Sequence, residues 1–140
     1  MKTKTFAYWT ITMLLALSMF SGGVAQLTRN PQTVAGVVQL GYPAYLTSIL
    51  GCWKIAGTVA ILVPGFVRLK EWAYAGFFFL MTGAAVSHAV CHDPAWHVVV
   101  TLTLAGFAVV SWALRPASRR IGERFVAPSV PTALPHPSFR

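Results

Sequence analysis

Four stretches of this chain are almost wholly apolar, each about twenty residues long, and short polar intervals separate them. They run from Phe6 to Leu27, Ala44 to Val63, Trp72 to Val90 and Ala95 to Leu114. About twenty helical residues cross the hydrocarbon core of a bilayer. The pattern therefore predicts an all-α fold, a four-helix transmembrane bundle with left-handed packing. Pro64-Gly65 forbids continuation of the second helix and supplies a turn, so helices two and three form an antiparallel hairpin with Arg68 and Lys70 in its bend. Cys91-His92-Asp93-Pro94 breaks the chain again before the fourth run. Between the first two runs, Asn30-Pro31 is suited to open a short helix at Gln32, and Gly41 with Pro43 to close it. Val34, Val37, Val38 and Leu40 give that segment one apolar side, which predicts a short amphipathic helix at the interface rather than a plain loop.

The first run also has the outline of a signal peptide, with a basic start and a Gly23-Val24-Ala25 stretch that imitates a cleavage site after Ala25. Its length favours a retained spanning helix. Ser21-Gly22-Gly23 either lets a neighbouring helix approach closely or only weakens the helix there.

Composition agrees with a membrane class. Only 10% of the 140 residues are charged and 56% are hydrophobic, against roughly 25% charged in soluble domains. Eleven Lys and Arg face three acids, yet the cations flank the apolar runs instead of lining one amphipathic face, which argues against a nucleic-acid partner. Lys2, Lys4, Arg68, Lys70, Arg115, Arg119, Arg120 and Arg124 fall on one side of a four-pass chain and Arg29 on the other, so both termini are expected in the cytoplasm. Tyr and Trp residues cluster near the run ends, as in an interfacial belt. Residues 1–115 make up the membrane domain, and 116–140 read as a basic, Pro-rich, disordered cytoplasmic tail beyond a short juxtamembrane helix.

The candidate chemistry begins with Lys54. It lies about ten residues, or roughly 15 Å, from either end of its run, near the bilayer midplane. A charge there costs about 2.5–3.5 kcal/mol even on the lenient insertion scale. No carboxylate lies at that depth. Lys54 either uses hydroxyls and carbonyls, loses its proton, or faces a wet cavity and an anionic or carbonyl-bearing ligand. From the midplane outward the polar side chains are Thr82, Ser87 and His88 on the third helix and Gln26 at the end of the first. With Lys54 and Trp53 they form the candidate ligand set, and a quinone ring suits an aromatic wall beside a cationic donor. Gly51 and Gly57 beside Lys54 either make room for such a ligand or serve close helix packing. No catalytic residue can be named.

A second cluster comprises His88, Cys91, His92, Asp93 and His97 around the outward turn. His88 and His92 are spaced to share a helix face if the helix persists. No metal-binding pattern is recognisable in the spacing, so the cluster reads as a polar cap without a metal, with His88 hydrogen-bonding or exchanging protons inside the bundle mouth. Cys52 and Cys91 lie at different depths, which argues against a disulfide between them.

Leu40-Gly41-Tyr42-Pro43-Ala44-Tyr45-Leu46, Trp53-Lys54-Ile55-Ala56-Gly57, Leu62-Val63-Pro64-Gly65-Phe66, Leu69 through Phe77 and Gly83-Ala84-Ala85-Val86-Ser87-His88 together resemble the DoxX-like family of small bacterial membrane proteins. The resemblance spans the four runs and stops at the Pro-rich tail. It implies a four-helix architecture and a bacterial inner-membrane location in contact with the lipid bilayer. Some members of the wider DoxX/DoxD group are subunits of a thiosulfate:quinone oxidoreductase and others are associated with thiol or oxidative-stress handling. That implies a quinone-associated accessory role with a membrane redox partner. A noncatalytic scaffold that binds a partner helix or lipid is the alternative.

Overall fold

The structure, a computed structural model, describes residues 2–121. Among these the chain is all-helical. The α-helices are α1 (Lys2–Leu27), α2 (Pro31–Gln39), α3 (Leu46–Leu62), α4 (Val67–Val90) and α5 (Ala95–Leu114), and a single 3-10 turn covers Ala117–Arg119. α1 packs on α3 and α5, and α4 packs on α5 and α3, so the four longer helices close a ring while α2 leans on α1 and α3.

The expected four-helix transmembrane bundle is met in part. Five helices form, and three of them, over Thr3–Leu27, Val67–Val90 and Ala95–Leu114, are long and apolar enough to cross a membrane. α3 has 17 residues, about 25 Å at 1.5 Å per residue, short of the roughly 30 Å hydrocarbon core. Two prolines cause this. Pro43 precedes a first turn held by short-range bonds, Leu46 N–H to Pro43 O and Thr47 N–H to Ala44 O, and Pro64 ends the helix. Neither Arg68 nor Lys70 is in the bend, because α4 starts at Val67 after Phe66 takes a left-handed conformation. The expected tail disorder lies outside the described residues, and the juxtamembrane helix is the 3-10 turn.

The packing inverts that of a soluble protein. Phe6, Leu17, Trp53, Trp72, Phe79, Val90 and Val99 point outward, while Thr12, Thr47, Thr58 and Ser111 are buried. Apolar outer surface suits lipid, and small or hydroxylated residues inside let helices approach. At the end that carries both described chain ends, Ser111 Oγ bonds Thr12 Oγ1 (2.7 Å) and Tyr74 OH (2.8 Å), joining α1, α4 and α5. A core of Leu15, Met19, Ile61, Tyr74, Phe77 and Met81, with Ala16, Ala105 and Ala108, fills the ring beyond it.

Three helices end at the opposite pole with the same device. After α1, Arg29 N–H reaches Gln26 O and Asn30 N–H reaches Ala25 O. After α2 the pairs are Gly41 to Val38 and Tyr42 to Val37, and after α4 they are His92 to Ala89 and Asp93 to His88. These are Schellman closures, and the residue that each needs in the left-handed region is Arg29, Gly41 or His92, with φ of 52°, 86° and 55°. Each closure turns the chain back over the ring. This places Gln26, Tyr42, His88 and Asp93 around one mouth.

Candidate functional site

A cavity of about 570 Å³ opens at that pole. Its floor is Met19 and Met81 of the core, its roof is α2 through Gln32, Thr33, Gly36 and Val37, and its walls carry Lys54, Gln26, Tyr42, Ser87 and His88. Pockets for small molecules run from about 300 to 1,000 Å³ with a few polar groups set among apolar ones. The volume and the lining both fit.

Glycines aim Lys54 into this space. A Cβ on Gly51 would lie 2.9 Å from Gly23 O and 3.0 Å from Leu27 N, and one on Gly23 would lie 3.2 Å from Gly51 O, so α1 and α3 touch backbone to backbone. Lys54 sits one turn further along α3, and its Nζ ends 3.8 Å from where a Gly22 Cβ would be. The amine passes over Gly22 into the cavity. No ion pair to Lys54 exists among the described residues. Gln26 is 6% exposed, and its Oε1 has no hydrogen-bond partner. Tyr42 OH bonds Ser87 Oγ at 2.8 Å, tying the end of α2 to α4 across the mouth.

Of the six ligand candidates, Lys54, Gln26, Ser87 and His88 come together on this one surface. The other two do not. Thr82 bonds its own helix at Phe78 O and Phe79 O. Trp53 is 69% exposed and faces a separate apolar groove of about 450 Å³ between α3 and α4, shared with Gly57, Trp72 and Gly76. Both readings of the α3 glycines have a counterpart: Gly51 packs on α1, and a Gly57 Cβ would lie 2.7 Å from Phe77 Cζ of α4.

The outward turn rearranges the second cluster. α4 stops at Val90, so His92 does not share a face with His88, and Cys91 and His92 are exposed. Cys52 and Cys91 are free thiols. Asp93 is drawn in instead, with Oδ2 2.7 Å from His88 Nδ1 and 3.8 Å from His97 Nδ1, and Oδ1 accepts from Gln39 Nε2 at 3.1 Å.

The opposite pole holds a site that sequence reasoning missed. Lys70 is fully buried and donates to Ala60 O (2.7 Å), Ile61 O (3.2 Å) and Val63 O. Arg119 Nη1 joins it on Ile61 O (2.9 Å), Nη2 reaches Leu62 O (3.2 Å), and the guanidinium lies 4.7 Å from the Trp9 ring centroid. Arg115 pairs with Glu71 at 2.7 Å, and Trp112 Nε1 donates to the same carboxylate at 2.6 Å. A lysine three residues inside a helix that follows a proline-stopped helix is the one available signal, since Pro64 has no N–H to offer Ala60 O. Carbonyls, a carboxylate and rings partner these cations, with Arg115 Nη1 alone of their buried donors left without a hydrogen bond among the described residues.

The sequence model of the DoxX-like family matches residues 10–113, which takes in all five helices apart from the first turns of α1 and the end of α5. No curated protein and no solved structure matches the chain.

Proposed function

Because this chain belongs to the DoxX-like family, we propose that it is a multi-pass membrane protein whose polar cavity binds the head of a quinone or similar carbonyl-bearing ligand, as an accessory to a membrane redox partner. The observation that carries the proposal is Lys54: a cation at the centre of an apolar helix, without an ion pair, aimed into a cavity that also holds the unpartnered Gln26. An ammonium in a low-dielectric wall stabilises charge that develops on a carbonyl oxygen during reduction. The amide of Gln26 offers a further hydrogen bond to a ring oxygen, whereas the Tyr42 and Ser87 hydroxyls bond each other and Gly83 O. An isoprenoid or acyl tail leaves through the apolar side of the mouth.

In this reading α1, α3, α4 and α5 all cross a bacterial inner membrane as a four-helix bundle. α3 is the short member, and local thinning of the bilayer accommodates a mismatch of about 5 Å at a fraction of a kcal/mol per Å. The Arg and Lys bias puts both chain ends and the Pro64-Gly65 turn in the cytoplasm and the cavity mouth in the periplasm. Reporters at Gly65 and after Arg120 are then cytoplasmic, and one at Gly41 is periplasmic. A periplasmic signal from Gly65 removes the topology.

The ligand test is extraction. Protein purified in mild detergent is expected to release a quinone into organic solvent, identified by its reducible ultraviolet band and mass, and Lys54→Met is expected to release none while folding as well as wild type or better, since it loses an uncompensated buried charge. Quinone retained by Lys54→Met, or absent from wild type even after incubation with a short-chain quinone, ends the proposal. The scaffold reading is favoured by one observation, the groove edged by the exposed Trp53 and Trp72 over Gly57 and Gly76. It survives a quinone-free result and requires that Gly76→Leu abolish a co-purifying membrane partner.

A further inference from the structure

We propose that His88, Asp93 and His97 form a binding site for a first-row divalent metal ion at the cavity mouth. One donor atom from each of the three lies within 4.8 Å of the others. The spacing of these residues along the chain matches no metal-binding pattern, and the site exists only because of how the turn folds. The Schellman closure at His92 carries Asp93 back over the last turn of α4, and Pro94 starts α5 so that His97 lies one turn in, above the same carboxylate.

Three features distinguish the cluster from a chance polar cap. The Asp93 side chain is only 8% exposed, and its second oxygen is held by Gln39 of α2, the outer-shell support that ligating carboxylates have. His97 Nδ1 is buried and has no hydrogen-bond partner; it lies 3.8 Å from Asp93 Oδ2, beyond bonding range. His88 Nδ1 approaches the same oxygen atom at 2.7 Å. Two imidazole nitrogens therefore converge on one carboxylate oxygen.

A tetrahedral ion with bonds of about 2.0–2.1 Å sets its donors about 3.3 Å apart. The 2.7 Å separation must widen and the 3.8 Å one close, each by about half an ångström, and a donor pair at the 4.8 Å limit must close by about 1.5 Å. The rings now stack 14° from parallel, so a shared ion also requires His97 to rotate about χ2, and the Trp96 ring, packed with its centroid 3.6 Å from that of His97 and itself 60% exposed, must move with it. Two imidazoles and a carboxylate select zinc, cobalt or iron(II) over magnesium or calcium, and three protein ligands leave a position for water or a ligand entering the cavity. His88 faces that cavity as well. The metal proposal nevertheless stands apart from the quinone, because Lys54 belongs to one and not to the other.

The test uses full-length, untagged protein in detergent, stripped with chelator and titrated with Zn²⁺ by calorimetry, with Co²⁺ as a visible-band reporter. One Zn²⁺ per chain is expected, with loss of the site in His97→Gln and Asp93→Asn, a drop of about tenfold or more in Gln39→Ala, and no change in His92→Gly, which keeps the left-handed closure, His136→Ala or Lys54→Met. His97→Gln keeps the helix start and a polar side chain, and its circular dichroism reports folding independently. Unchanged stoichiometry and affinity in the His88→Ala/His97→Gln double variant overturn the proposal. So does wild-type binding no tighter than that of this double variant.

Discussion

Replacing Lys70 with Met tests whether this buried lysine, its three N–H groups all bonded to carbonyls, caps α3. Pro64 deprives Ala60 O of the backbone donor that a continuing helix would supply, and Lys70 Nζ supplies it from α4 at 2.7 Å. Of its three acceptors, Ile61 O keeps Arg119 in the variant, but Ala60 O and Val63 O lose the ammonium. An unsatisfied buried carbonyl costs about 1–3 kcal/mol, and removing a buried charge returns part of that. The expected net loss is about 2–4 kcal/mol, read as a melting temperature lower by roughly 10 °C in detergent. Arg68→Met, at an exposed position two residues away, is expected to stay within about 0.5 kcal/mol of wild type. The sharper measurement is a double-mutant cycle with Pro64→Ala, which restores an N–H four residues beyond Ala60. The combined variant should recover about 1 kcal/mol or more of the Lys70→Met loss. Equal stability of Lys70→Met and Arg68→Met, or strict additivity with Pro64→Ala, refutes the assignment of Lys70 as the cap of α3.

Two further outcomes follow from backbone geometry. Gly51→Ala would place a Cβ against Gly23 O and Leu27 N, which are backbone atoms that cannot rotate away, so it should cost about 1–3 kcal/mol by forcing α1 and α3 apart. Gly76→Ala meets nothing within 4 Å and should be neutral or slightly stabilising by helix propensity; comparison of the two melting curves checks both. His92→Gly should raise stability by about 0.5–1 kcal/mol by relieving the left-handed backbone at φ 55°, whereas Gly41→Ala, at φ 86°, should lower it by a similar amount.

Much of the architecture was legible because proline and glycine mark the breaks. The ends of α2 and α5 fall where Asn30-Pro31, Gly41, Pro94 and Pro116 place them. Hydropathy could not reveal the contacts that determine which way a polar residue points. Trp53 and Lys54 are neighbours, yet α1 packs through Gly51 and Gly23, so one faces the groove and the other the cavity. The positive residues at the other pole looked like topology signals, and the same Arg and Lys side chains also close helix ends, which charge counting does not reveal. Asp93 joins His88 and His97 only through the left-handed turn at His92, a conformation that neither periodicity nor spacing signals for a residue with a side chain.

Two lysines inside apolar helices give this small protein its polarity. Each meets the same difficulty, a cation removed from water, and the neighbouring backbone resolves them in opposite ways. Beside Lys70 a proline has broken a helix and left carbonyls exposed, so the ammonium finds three acceptors and has no bonding capacity left for a ligand. α3 is intact around Lys54, and its carbonyls are bound within the helix; Thr58 Oγ1 also takes up Lys54 O at 2.8 Å. Glycine on the facing helix offers space but no acceptor. An ammonium has three N–H groups to satisfy, and around Lys54 only the cavity lies open to them. The hydroxyl and amide groups there come from Ser18, Gln26, Gln32, Thr33, Tyr42, Ser87 and Thr101; Ser18 and Thr101 donate to their own helices, and Tyr42 and Ser87 bond each other. Gln26 Oε1, without a partner, is the acceptor the cavity itself offers, and in the proposed reading a carbonyl or anionic oxygen that enters the cavity takes up the capacity that remains.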